Sequence, residues 1–141
     1  MAKQRNPFEV LHRLRSVNER RRRADLATAH LDEQRAKRLM EEVRTSLEHP
    51  PKIEERMSQL QLRALQIRGI TSNEMLNMAA REYESAQKMT RSAAGAWRKA
   101  VGDADAAEKL ATQRREKIAR EVSASSERML DDLMTIRRAI S

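Results

Sequence analysis

Residues 76–111 read LNMAAREYESAQKMTRSAAGAWRKAVGDADAAEKLA, and their spacing decides the fold. Leu76, Ala79, Tyr83, Ala86, Thr90, Ala93, Trp97, Ala100, Ala104, Ala107 and Ala111 recur at alternating steps of three and four, the 3.5-residue period of a coiled-coil seam. Ten of these eleven positions are apolar and seven are Ala, so a partner helix can approach more closely than it could across a Leu seam. Downstream, Ile118, Val122, Met129, Leu133, Ile136 and Ile140 continue the stripe with bulkier side chains, which makes the far end the stickier one. Gly95 and Gly102 each cost roughly 1 kcal/mol against Ala in a helix interior. Asp103 after Gly102 offers an alternative reading, a break with Asp as the cap of a new helix.

Upstream, Thr71 with Glu74 three residues on has the form of a capping box, and Gly69 before it suits the C-terminus of a preceding helix. The last helix is therefore expected over about 72–140. Ile53, Met57, Leu60, Ala64 and Ile67 recur at helical spacing, with Leu62 and Leu65 widening the face, and predict a short helix over about 52–68. At the other end of the chain, Asn6 as cap and Pro7 as first helical residue open a helix. That helix ends before His49-Pro50-Pro51, because each Pro removes a donor and restricts the residue ahead of it. Its stripe is read as Val10, Leu14, Val17, Arg21, Ala24, Thr28, Leu31, Arg35, Leu39, Val43 and Leu47, eight of eleven apolar, at a mean step near 3.67 that predicts an almost straight seam. The expected fold is all-α: one coiled-coil domain over 1–141, an elongated antiparallel two-helix hairpin with a short middle helix near the turn.

Composition agrees with that reading. Only Phe8, Tyr83 and Trp97 are aromatic among 141 residues, too few for the compact core of a conventional enzyme. Three Gly and three Pro leave little turn chemistry for a sheet protein, and 35% charged residues with abundant Ala, Glu, Arg, Lys and Leu is the composition of long amphipathic helices. The absence of Cys excludes disulfides and thiolate metal sites. No stretch is apolar for long enough to span a bilayer, and Pro7 with a charged helix follows the basic start where a signal peptide would have its apolar run. These features predict a cytoplasmic protein.

The net charge of +8 is concentrated. Lys3, Arg5, Arg13, Arg15, Arg20, Arg21, Arg22 and Arg23 against Glu9 and Glu19 place +6 of it within the first 23 residues. Such an end calls for an acidic partner: protein first, then nucleic acid or an anionic membrane surface. The scarcity of aromatic side chains near the Arg run weighs against single-stranded nucleic acid, and the Ala-rich seam against a basic zipper. His12, His30 and His49 are too far apart for metal spacing, and Glu41-Glu42, Glu54-Glu55 and Asp131-Asp132 are neighbours that point to different sides of a helix. No nucleophile stands beside a base and no Gly-rich loop is present, so the sequence calls for no catalysis, cofactor or metal. The eight Met suit an adaptable binding surface or the filler of a loose seam.

Taken in order, Pro7-Phe8 followed by Leu11 and Leu14, then Gly69-Ile70-Thr71-Ser72-Asn73, Trp97-Arg98 ahead of Glu108-Lys109-Leu110, and Arg114-Arg115, Glu121, Glu127 and Leu130-Asp131-Asp132 span nearly the whole chain. In order, spacing and length the chain resembles the FliJ/YscO-like family, the coiled-coil stalk proteins of flagellar type III export and of related virulence secretion systems. The resemblance implies an antiparallel coiled coil like the central stalk of a rotary ATP synthase. It implies insertion of the paired ends into the hexameric ring of a FliI-like export ATPase, contact with a FlhA-like export gate, handling of export chaperones, and peripheral association with the inner face of the cell membrane. On that reading Arg13, Arg15, Arg20, Arg21, Arg22 and Arg23, with Met129, Leu133, Ile136, Arg137 and Arg138, are expected at the ATPase-facing end, and Met75, Met78 and Tyr83 toward the gate. The runner-up readings are a helical adaptor or dimerising coiled coil outside secretion, and a basic coiled coil that binds nucleic acid.

Overall fold

The computed structural model describes residues 6–49 and 56–140, and almost all of them belong to two helices, α1 (Pro7–Glu48) and α2 (Gln59–Ile140), with no strand among the described residues. The start of α1 is the one expected. Asn6 Oδ1 accepts from the Phe8 N–H at 3.0 Å and the Asn6 carbonyl from the Glu9 N–H at 3.2 Å, so two N–H groups that a helix start leaves without partners are satisfied. Its end is also as expected, with His49 in a bend just ahead of the Pro pair.

The second helix starts earlier than expected. Ser58 and Gln61 form a reciprocal box: the Ser58 N–H donates to Gln61 Oε1 at 3.0 Å, and the Gln61 N–H donates to Ser58 Oγ at 3.3 Å. From there α2 passes through Gly69, Thr71 and Gly102 without interruption, and no Gly has a positive φ. The separate short helix over 52–68, the Gly69 terminus and the Thr71 start are thus corrected: residues 59–68 are the first turns of α2, and 52–55 lie outside the described residues. A break at Gly69 or Gly102 would strand four C=O groups at the new C-terminus and four N–H groups at the new N-terminus. Against that, a Gly costs only about 1 kcal/mol in place.

The chain divides into two compact units, one joining α1 up to Arg20 to α2 from Arg98, the other comprising Arg21–Trp97. In the first, Asn6 Nδ2 donates to the Ala111 carbonyl at 3.0 Å, His12 Nδ1 lies 3.4 Å from the Ala104 carbonyl oxygen, and the Arg15 guanidinium donates to the Asp103 carbonyl at 3.0 Å. Rising numbers on α1 meet falling numbers on α2, so the helices run antiparallel. In the second unit Thr90 Oγ1 donates to the Ala29 carbonyl at 3.2 Å, while Leu39 and Val43 lie beside Met75, Met78 and Ala79. That pairing is antiparallel as well.

The seam of α2 is where the sequence puts it: Ala79, Thr90, Ala100, Ala104, Ala107 and Ala111 are buried, with Leu76, Tyr83, Ala86, Ala93 and Trp97 half-buried between them. The seam of α1 is corrected over most of its length, while Val43 and Leu47 of the expected stripe do turn inward. The face turned inward carries Phe8, His12, Arg15, Glu19, Leu26, Ala29, Glu33, Ala36, Met40, Val43 and Leu47, at steps of three, four or seven, whereas Val10, Leu14, Val17, Leu31 and Leu39 are exposed. Two helices wound on each other share a period. The 3.5-residue seam of α2 therefore selects the 3.5-residue stripe of α1 over its 3.67-residue one, although the latter is more apolar.

Candidate functional site

With an Ala seam the partner backbone is within reach, and this determines what the polar groups of α1 do. A side chain that crosses the seam meets backbone carbonyls of α2 instead of a bulky aliphatic layer. Asn6, His12 and Arg15 use that access, and Thr90 does the same in the other direction, its Oγ1 also lying 3.0 Å from its own Ala86 carbonyl. Arg15 is consequently occupied: its stem lies along the seam and its charge is bonded to α2. Of the six Arg expected to face an acidic partner, it is the one turned inward.

The others are exposed. Arg13 and Arg20 flank the uncovered stripe Val10, Leu14 and Val17 in the first unit, a basic and apolar strip that its seam does not use. In the second unit Arg21, Arg22 and Arg23 are exposed, and Arg22 pairs with Asp25 at 3.8 Å. A pair this exposed contributes under about 1 kcal/mol and exchanges readily for an external partner.

The C-terminal part of α2 is the other candidate surface. Glu9 reaches Arg115 across the helices at 3.5 Å, and beyond that no described residue of α1 stands against α2. Met129, Leu133 and Ile136 are each more than half exposed, with Arg137 and Arg138 exposed among them. They do not join the first unit's Arg13, Arg15 and Arg20 in one patch. Arg15 is bonded at Asp103, and Met129 lies 26 residues further along α2, about 39 Å at 1.5 Å per residue. Within the first unit, Arg13, Arg15 and Arg20 therefore lie on a different surface from Met129, Leu133 and Ile136.

Met75 and Met78 are exposed and line a shallow groove with Leu39, Val43, Ala79 and Glu82, whereas Tyr83 is half-buried in the seam and serves packing. A second depression in the same unit gathers Asp25, Asp32 and Glu82 around Thr28, Ala29 and Met89. Among the described residues no group of three or more His, Asp or Glu is placed to hold a metal ion, and no helix is long and apolar enough to cross a membrane. Sequence reasoning missed the cross-seam hydrogen bonds. The available signal was Thr90, the one polar residue in an otherwise apolar seam, whose hydroxyl needs an acceptor when buried. Comparison with protein-family models, curated proteins and solved structures finds no match.

Proposed function

We propose that the chain is a non-enzymatic stalk component of a flagellar type III protein export apparatus, an antiparallel coiled-coil hairpin that links a FliI-like export ATPase to a FlhA-like gate. In this reading it promotes assembly of the ATPase ring, handles export chaperones and works in the cytoplasm at the inner face of the membrane. The observation that carries the proposal is the part of α2 beyond Arg115, uncovered by described residues of α1 and presenting Met129, Leu133 and Ile136 beside Arg137 and Arg138. An apolar strip with a basic border suits insertion between the subunits of an acidic-lined ring. The exposed arginines Arg13 and Arg20 to Arg23 supply a second, electrostatic contact, and Met75 and Met78 an adaptable one for the gate.

The test is phosphate release by the purified export ATPase with and without the chain. Stimulation is expected, with loss in M129D and L133D, and charge reversal at Arg20–Arg23 weakens ring capture and flattens its salt dependence. Failure of the chain to bind or stimulate the ATPase removes the proposal. The adaptor reading draws on the exposed stripe Val10, Leu14 and Val17. A nucleic-acid reading draws on Arg21–Arg23, and a gel shift that falls steeply with salt would favour it over the stalk.

A further inference from the structure

Past Ile118 the stripe of α2 settles into a new run of five apolar residues and one small polar one, Val122, Ser126, Met129, Leu133, Ile136 and Ile140, at steps of four, three, four, three and four. Read backwards, the run is the same. Position 122 answers to 140, 126 to 136 and 129 to 133, all about a centre at Asp131. A seam with this symmetry fits a two-fold, self-complementary interface, in which one residue of a layer meets the other residue of that layer in the second copy.

We propose that the segment from Val122 to Ile140 pairs antiparallel with the same segment of a second copy of this chain. The layers are then Val122 with Ile140, Ser126 with Ile136 and Met129 with Leu133 of the other copy, each formed twice, with small Ser126 accommodating Ile136. Charge permits a second copy on this segment. The segment carries Arg128, Arg137 and Arg138 against Glu127, Asp131 and Asp132, a net of zero, while the first 23 residues carry +6 and repel their own kind. The antiparallel register also sets Arg128 beside Asp132 of the other copy, and Arg137 beside Glu127. Val122, Met129, Leu130, Leu133, Ile136 and Ile140 are each more than half exposed. At roughly 100 Å² apiece they bury about 1,200 Å² over both copies, the lower edge of a stable interface and suited to a reversible dimer. The inference goes beyond the stalk reading and does not rest on it.

Sedimentation of the full chain alone across the micromolar range tests it. The mass is expected to rise from 16.3 kDa toward twice that, and L133D to remain monomeric with unchanged helical circular dichroism, since Leu133 is 59% exposed. A wild type that stays monomeric, or a dimer that L133D leaves intact or that L14D breaks instead, overturns the proposal. Orientation is read by cross-linking in a chain with no native cysteine. M129C mixed with L133C should give the mixed disulfide and M129C alone none. A disulfide from M129C alone indicates a parallel pair and overturns the register.

Discussion

Replacing Ala107 by Leu tests the close approach on which the first unit depends. Ala107 has 0% of its surface exposed and lies between the three cross-seam contacts at Asp103, Ala104 and Ala111. A Leu there has no solvent-facing rotamer, so the helices must part. Overpacking of this kind costs about 1–3 kcal/mol. Parting by even 1 Å also stretches bonds now at 3.0, 3.4 and 3.0 Å beyond useful length. Each is worth about 1 kcal/mol net, and because the α2 carbonyls keep their intrahelical donors, only the side-chain donors are stranded. The expected loss is about 4–6 kcal/mol, or roughly 10–25 °C in Tm for a chain of this size. Ala106 is exposed on the same turn, and A106L should stay within about 0.5 kcal/mol of wild type. A107G separates the two causes, since it loses about 1 kcal/mol of helix propensity without pushing the helices apart. Thermal and urea unfolding followed at 222 nm give the numbers. A107L no worse than A107G would refute the claim that backbone proximity holds this unit together.

Three further substitutions probe single features. G102A should stabilise by about 1 kcal/mol, because α2 is helical there and an added Cβ meets nothing within 4 Å, whereas a helix break at this point would make it destabilising. N6A should lose about 2 kcal/mol, the cap to Phe8 and the bridge to Ala111 together, and N6D should retain the cap while losing the bridge, so a denaturant series should place N6D between N6A and wild type. T90V should fall within about 1 kcal/mol of wild type in the same assay, because both carbonyls that its hydroxyl reaches are already bonded within their helices.

The α2 seam was legible because a single 3.5-residue stripe dominates it, and each Ala that fits the stripe is buried. Caps were legible in kind but not in place. Thr71-x-x-Glu74 and Ser58-x-x-Gln61 are the same motif, and what separates them is that the chain has just passed Pro50-Pro51 before Ser58, whereas Thr71 lies within a helix already under way. The candidate surfaces were legible residue by residue, as exposed Arg and exposed Met, but not as assemblies. The register that sets Asn6 against Ala111 leaves Met129 far from Arg13 and Arg15 in the same unit, and register is not carried by the composition of either helix alone.

The misread seam of α1 follows from the Ala content of α2. Counting apolar residues assumes that both faces of a seam must be greasy, which holds when Leu meets Leu. An Ala face offers instead a smooth groove bordered by carbonyls, and its complement is a long side chain that lies along the groove and ends in a donor. Arg15 meets that description, His12 and the capping Asn6 reach the same carbonyls with shorter side chains, and Phe8, Leu26 and Met40 fill the layers where bulk is needed. The consequence for binding is direct. Because the inward face of α1 relies on polar reach, its most apolar stripe, with Val10, Leu14 and Val17 between Arg13 and Arg20, is left over for something else. Substituting Leu14 by Asp should therefore leave stability within about 0.5 kcal/mol while abolishing any capture that uses this face. A large loss of stability would return Leu14 to the seam and refute the assignment.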